Sequence, residues 1–168
     1  MTTPIDNCEP FLGKVVGDTF PIVVTPVIAA AAFSANDIVG GKLTLTGAMR
    51  VAGGTGEIDS LMLVDASKQN APLSIFVFNA ALEVSAGYCD DNSPCAVTVV
   101  DWKKCLGVID ILASDYKSMS LASVASLGGI GMKIKATSGV NLFALIVTTG
   151  TPTYGANALQ LTFGLGRN

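Results

Sequence analysis

Four cysteines, two carboxylates two residues apart, an oxygen-rich turn and a tryptophan beside two lysines are the side chains whose types and spacing could do chemistry. The thiols are Cys8, Cys89, Cys95 and Cys105. Structural zinc needs closely paired ligands; five residues separate Cys89 from Cys95, and no second close pair exists. The stretch Tyr88 to Cys95 reads as a polar turn that brings Cys89 and Cys95 to face each other across its base. They form a candidate disulfide in an oxidising medium. Cys8 and Cys105 read as thiols. A nucleophilic cysteine needs a base or a cation to make thiolate. Lys103 and Lys104 stand next to Cys105, although an inert thiol is the plainer reading.

Asp90, Asp91 and Asn92 gather oxygens as a calcium loop does, but the EF-hand spacing and its distal glutamate are missing, so a solvated loop is expected. Glu57 and Asp59 fall on one face of a strand, as a glycosidase pair would, yet on the face that meets solvent. The glycines of Val51 to Gly56 loosely match a phosphate cradle, but no Lys-Ser/Thr follows and the setting is strand to strand. Trp102 beside Lys103 and Lys104 offers a stacking surface for a base or sugar; a plug at the open end of a sandwich is the structural alternative. Histidine is absent, which removes Ser-His-Asp and Cys-His nucleophiles, His-ligated metals and imidazole bases. The expectation is a chain without catalytic residues, metal or cofactor.

The 168 residues suit one domain. Ten basic against thirteen acidic residues leave a net charge of −3, and a pI near 4.7 argues against nucleic acid as a partner. Charged residues are 14% of the chain, where soluble domains average about 25%. Hydrophobic residues are 50% and mean hydropathy is +0.56. Either the surface is built from Ser, Thr, Asn and Gly, or other subunits cover part of it; covering is the expectation. The most apolar stretch, Pro21 to Phe33, is 13 residues interrupted by Thr25 and Pro26, short of the ~20 that span a bilayer, so no membrane partner is expected. The first residues carry Asp6 and Glu9 and no base before Lys14, unlike a secretory signal; synthesis in a cytosol is expected.

These side chains must be positioned by strands. Lys42-Leu43-Thr44-Leu45-Thr46 and Leu159 to Leu165 alternate apolar and polar, and Met132 to Lys135 is a shorter copy. Leu73 to Phe78 and Leu142 to Val147 are apolar on both faces and must be covered on both. Leu12 to Val16, Ile22 to Val24, Gly56 to Asp65 and Leu106 to Leu112 complete the set. Turn chemistry at Ala52 to Gly56, Gly128-Gly129, Thr137 to Gly139 and Thr149 to Pro152 separates the runs. The fold class is therefore all-β, an antiparallel β-sandwich of about eight strands. Only short helical turns are expected, at Asp101 to Cys105, capped by Asp101, and at Ser114 to Met119. Residues 1–10 read as an extended N-terminal arm and 11–168 as a single β-sandwich domain.

Three segments carry a resemblance: Ala35-Asn36-Asp37-Ile38-Val39-Gly40-Gly41-Lys42-Leu43, then Lys68-Gln69-Asn70-Ala71-Pro72-Leu73, then Gly150-Thr151-Pro152-Thr153-Tyr154. In order and spacing they resemble a family of small tailed-bacteriophage structural proteins encoded beside head genes, over roughly residues 33–165. The resemblance implies a jelly-roll-like sandwich and capsid decoration, or cementing. The partners would be the major capsid protein and further copies of the chain, as homodimer or homotrimer. The location would be the virion capsid, after synthesis in the bacterial host cytoplasm. Residues 88–105, with their cysteines and acidic loop, depart from the family pattern. A tail, collar or head-fibre component and a lectin-like surface module are the alternatives. Interface candidates are Thr2, Thr3, Pro4 and Ile5 in the arm, since a polar proline-containing tail is readily laid across a neighbour. Phe76, Phe78, Phe143 and Leu145, from the doubly apolar strands, are either sandwich core or oligomer seam.

Overall fold

The computed structural model describes residues 18–83 and 88–168. Alternation decides the strand faces. In Leu159–Arg167, Leu159, Leu161, Phe163 and Leu165 are buried, while the residues between them stay partly or fully exposed. The strands are β1 (Asp18–Val24), β2 (Ala31–Ala32), β3 (Leu43–Leu45), β4 (Thr55–Asp65), β5 (Leu73–Phe78), β6 (Cys105–Ile111), β7 (Tyr116–Ser118), β8 (Ser123–Lys135), β9 (Leu142–Thr148), β10 (Thr153–Tyr154) and β11 (Leu159–Arg167). One sheet has the order β1-β11-β4-β8-β7 and the other β3-β9-β5-β6; β2 and β10 form a separate pair.

The antiparallel pairings β1 with β11, β3 with β9, β4 with β8 and β5 with β6 are nested. They are the pairings of one long hairpin folded over so that its arms alternate between two sheets. That is jelly-roll topology, and it bears out the expected antiparallel sandwich. The core between the sheets takes Ile58, Leu61 and Leu63 from β4, Leu73, Ile75 and Val77 from β5, Ile109 and Ile111 from β6, and Leu142, Ala144 and Ile146 from β9, facing the β11 row.

The three segments that carry the family resemblance meet at one end of the sandwich. Asn36 donates its amide to Thr148 O at 2.7 Å, and Thr148 donates back to Asp37 O at 3.0 Å. Phe33 N–H reaches Pro152 O at 2.8 Å, and Thr149 N–H reaches Pro72 O at 3.1 Å. Gln69 Oε1 accepts from Thr153 N at 3.0 Å. Beneath them the buried Asp65 carboxylate accepts the amides of Ser67, Gln69 and Asn70 at 2.8 to 3.0 Å. Those three amides satisfy the buried carboxylate without water and hold the turn above it in shape. At Gly40, φ is +77° and an added Cβ would lie 2.1 Å from Pro26 Cβ, so only glycine fits.

Three local expectations are corrected. The helical turn is α1 (Val99–Trp102), and its cap is Thr98, whose side chain accepts from Asp101 N; the Asp101 carboxylate is engaged elsewhere. Residues 114–119 form no helix beyond the one-turn 3-10 segment Ala113–Asp115, which passes into β7. Gly128-Gly129 is no turn between strands: β8 runs through it, bulging opposite the register shift between Ile58 and Ser60 of β4. That shift keeps both Ile58 and Leu61 facing the core, which strict alternation forbids. The expected strand at Leu12 to Val16 and the arm residues Thr2, Thr3, Pro4 and Ile5 lie outside the described residues, as does Cys8.

Candidate functional site

The chemistry-bearing side chains are built into the fold as joints. Cys89, Cys95 and Cys105 are free thiols, so the candidate Cys89–Cys95 bond is not formed in the structure. Burial, with Cys95 beside it, pushes the Cys89 thiol up to about 11. Burial likewise raises Cys95 and Cys105. Cys105 Sγ donates to Gly107 O at 3.4 Å. Of the two lysines before it, Lys104 is engaged, its Nζ 2.8 Å from Asp101 Oδ1 and 3.0 Å from Glu83 Oε1, and Lys103 is exposed. A thiol raised above its ordinary value holds little thiolate at neutral pH.

The acidic loop is equally committed. Asp91 accepts the amides of Gly40 at 2.6 Å and Ala29 at 2.8 Å, tying residues 88–95 to the segments that follow β2 and β1. Among the described residues no group of three or more acidic or cysteine side chains is placed to hold a metal. Glu57 and Asp59 remain on the outer face and line a shallow depression of about 270 Å³ with Thr19, Ser60 and Gly164. Glu57 is ion-paired with Lys133 across the β4–β8 ladder.

The doubly apolar strands are explained by a second core. Residues 79–83 leave β5 and, with 88–104, lie over the outer face of the four-stranded sheet, where Ile38, Phe78, Leu82, Cys89, Leu145 and Val147 are buried together. Phe78 and Leu145 are fully covered by the chain itself, which removes them as oligomer seam. Phe76 and Phe143 are partly buried in the same cluster. Trp102 does not plug an end of the sandwich. It stands edge-on to Phe76 at 4.9 Å and tilted over Phe78 at 5.9 Å. Sequence periodicity shows that these faces need a cover, but the covering segment has none of its own.

Among the described residues no segment lies over the outer face of the five-stranded sheet, where Val23, Met62 and Ser126 are exposed. Register aligns Val23, Thr162, Met62 and Ser126 in one row across β1, β11, β4 and β8. The next row is Pro21, Gly164, Ser60 and Gly128, and a third runs through Gln160, Val64 and Val124. Val23 is 57% and Met62 40% exposed. No ionised side chain stands in these rows until Lys117 on the edge strand β7, opposite Val124. At strand spacings of about 4.8 Å and rows about 6.7 Å apart, the uncharged field measures roughly 14 Å by 14 Å between its outer Cα atoms. Within the field, Pro21 and Met62 stand beside the small residues Ser60, Ser126, Thr162 and Gly164, and together they line a depression of about 310 Å³. No sequence motif marks this face. Only the deficit of charge anticipates it.

No protein-family model matches the chain, and no curated protein matches it. Among solved structures, a desmodium yellow mottle tymovirus chain is 11% identical, with 98% of this chain and 84% of that one covered, at a TM-score of 0.26. A chain from the native virion of Kashmir bee virus at acidic pH is 9% identical, with 99% and 80% covered, at a TM-score of 0.24. Likenesses this distant carry no functional argument.

Proposed function

We propose that the chain is a structural subunit of a tailed-phage virion, a decoration or cement protein that docks on the major capsid protein and stabilises the assembled head without turnover. The observation that carries this reading is the field of three uncharged rows on the outer face of the five-stranded sheet, which no described residue covers. On a monomer in water such a face is idle. Against a shell it loses no ion hydration on docking and buries apolar surface. Two further features support it: the residues of the family resemblance form one interlocked end, and the chain is poor in charge throughout. A subunit that binds only the assembled shell lowers its free energy relative to separated subunits by mass action. A specific contact of this kind requires about 1,000 Å² or more, so the sheet face is its centre and neighbouring loops its rim.

Cosedimentation of the purified protein with expanded, undecorated heads of its own phage tests the reading. Saturable binding at hundreds of copies per head, with raised resistance of the head to heat, is the expected result. Absence of binding overturns it. Saturation at tens of copies or fewer overturns the cement assignment in favour of a collar or tail component.

A further inference from the structure

From the edges of the two sheets we infer that β6 is a self-pairing strand through which two copies of this chain join, antiparallel, extending the four-stranded sheet across a two-fold axis. This deepens the cement reading by naming the surface that makes the oligomer.

Each sheet has two edge strands, and an unprotected edge is a template for another strand. β1 carries Pro21 at its middle, β3 and β7 are three residues long, and β7 bears the exposed Lys117. β6 is seven residues long, contains no proline and lies at the margin of its sheet, paired only with β5. Among the described residues no backbone hydrogen bond joins its outer edge to another segment. Its outward side chain Val108 is 45% exposed, and α1, just before it, presents Val99 and Val100 at 72% and 64% exposed. Greasy side chains next to an open backbone ladder are what a pairing strand presents.

Charge selects the occupant. Lys103, the C-cap of α1, lies two residues before β6, exposed and without an ion pair among the described residues. The exposed Asp110 lies at the opposite end of the strand, bonded by Ser74 Oγ at 2.6 Å. Antiparallel pairing of two identical strands sets the cationic end of each against the anionic end of the other, twice, by symmetry. A parallel arrangement would set like charges together. A seven-residue ladder with flanking valines sits near the lower end of specific interfaces, about 1,200 Å², so the dimer is expected to dissociate on dilution.

Sedimentation velocity and hydrogen exchange on the isolated full chain, with no shell present, test this independently of capsid binding. A reversible dimer is expected, with β6 amides gaining protection as concentration rises. Val108→Lys, on the solvent side of the strand, is expected to weaken dimerisation about tenfold or more by setting like charges across the axis. Lys103→Glu and Asp110→Lys should each weaken it, and the double exchange should restore it. A monomer at every concentration overturns the inference. So does a dimer unaffected by these changes, or one in which β6 amides exchange freely.

Discussion

Phe33 and Tyr154 meet edge to face, ring centroids 5.7 Å apart and planes at 65°. The contact joins the β2–β10 end of the molecule to the interlocked turns, and both rings are buried. The Tyr154 hydroxyl has no hydrogen-bond partner among the described residues. Burial, with Tyr116 and Asp65 nearby, drives its ionisation far above the ordinary range. The ring is therefore the stabilising part. Tyr154→Phe is expected to leave stability unchanged or raise it by up to about 1 kcal/mol, because an unpaired buried hydroxyl is removed. Tyr154→Ala should cost about 3–5 kcal/mol. Urea denaturation of both variants checks the pair, and a large loss in Tyr154→Phe would show that the hydroxyl is bonded.

Gly40 is expected to tolerate no side chain. Its positive φ alone costs an L-residue about 1–2 kcal/mol, and the overlap with Pro26 adds overpacking strain. Gly40→Ala should lose about 2–4 kcal/mol in the same assay, whereas Gly47→Ala, equally left-handed but with no atom near its Cβ, should lose only the conformational part.

The pH dependence of folding should carry a signature from Asp101. Burial alone would raise its pKa; hydrogen bonds from Lys104, from the Glu83 amide and from Thr98, with the charge of Lys104, outweigh burial and hold it below the ordinary 3.8. A depressed carboxyl contributes stability that is complete above the unfolded value and lost as pH falls through the folded one. Stability should therefore decline below about pH 4, and Asp101→Asn should flatten that limb. Lys104 is raised above 10.5 by the carboxylates of Asp101 and Glu83, so its share is complete below that pH and lost as pH rises through the folded value. Denaturation midpoints measured from pH 2 to 12 on both proteins decide the matter.

What is legible in the chain depends on where periodicity exists. Leu159 to Leu165 and Leu43 to Leu45 alternate, and each is a half-buried strand, as their pattern requires. Leu73 to Phe78 and Leu142 to Val147 reveal a need for two covers, but not that Leu82, Cys89 and Trp102 supply the second, because residues 79–104 follow no repeat. Asp101 has the residue type of a cap; Thr98 takes that role because the carboxylate is drawn to Lys104 and the Glu83 amide. Gly128-Gly129 has the composition of a turn, and a bulge shows only when its partner strand is known. The docking face is hidden for a related reason: its rows are assembled from strands far apart in the chain, with neighbours such as Val23 and Thr162 or Gln160 and Val64.

Trp102 roofs the second core, so its removal should be felt by the thiols beneath. Trp102→Ala is expected to cost about 3–5 kcal/mol and to speed alkylation of Cys89, which in the parent protein should be the slowest of the three described thiols because it is buried and its pKa is pushed up to about 11. Mass spectrometry after timed iodoacetamide exposure resolves the order. Equal rates at Cys89 and Cys95 in the parent would contradict the buried placement.

Met62 stands at the centre of the uncharged face, between Thr162 and Ser126. Because it is 40% exposed and points away from the core, Met62→Glu should change folding stability by no more than about 0.5 kcal/mol. On a bound head, however, the carboxylate would be stripped of water with the one cation of the adjoining rows, Lys117, two strands away on β7, a cost of several kcal/mol. The variant should fold normally and bind heads at least a hundredfold more weakly, an effect of about 2.7 kcal/mol. Val51→Glu supplies the control: Val51 is 61% exposed but lies in the turn before β4, off the sheet face, and should bind as the parent does. If Met62→Glu decorates heads with unchanged affinity, the outer sheet face is not where the shell is gripped, and the proposed function loses the observation on which it stands.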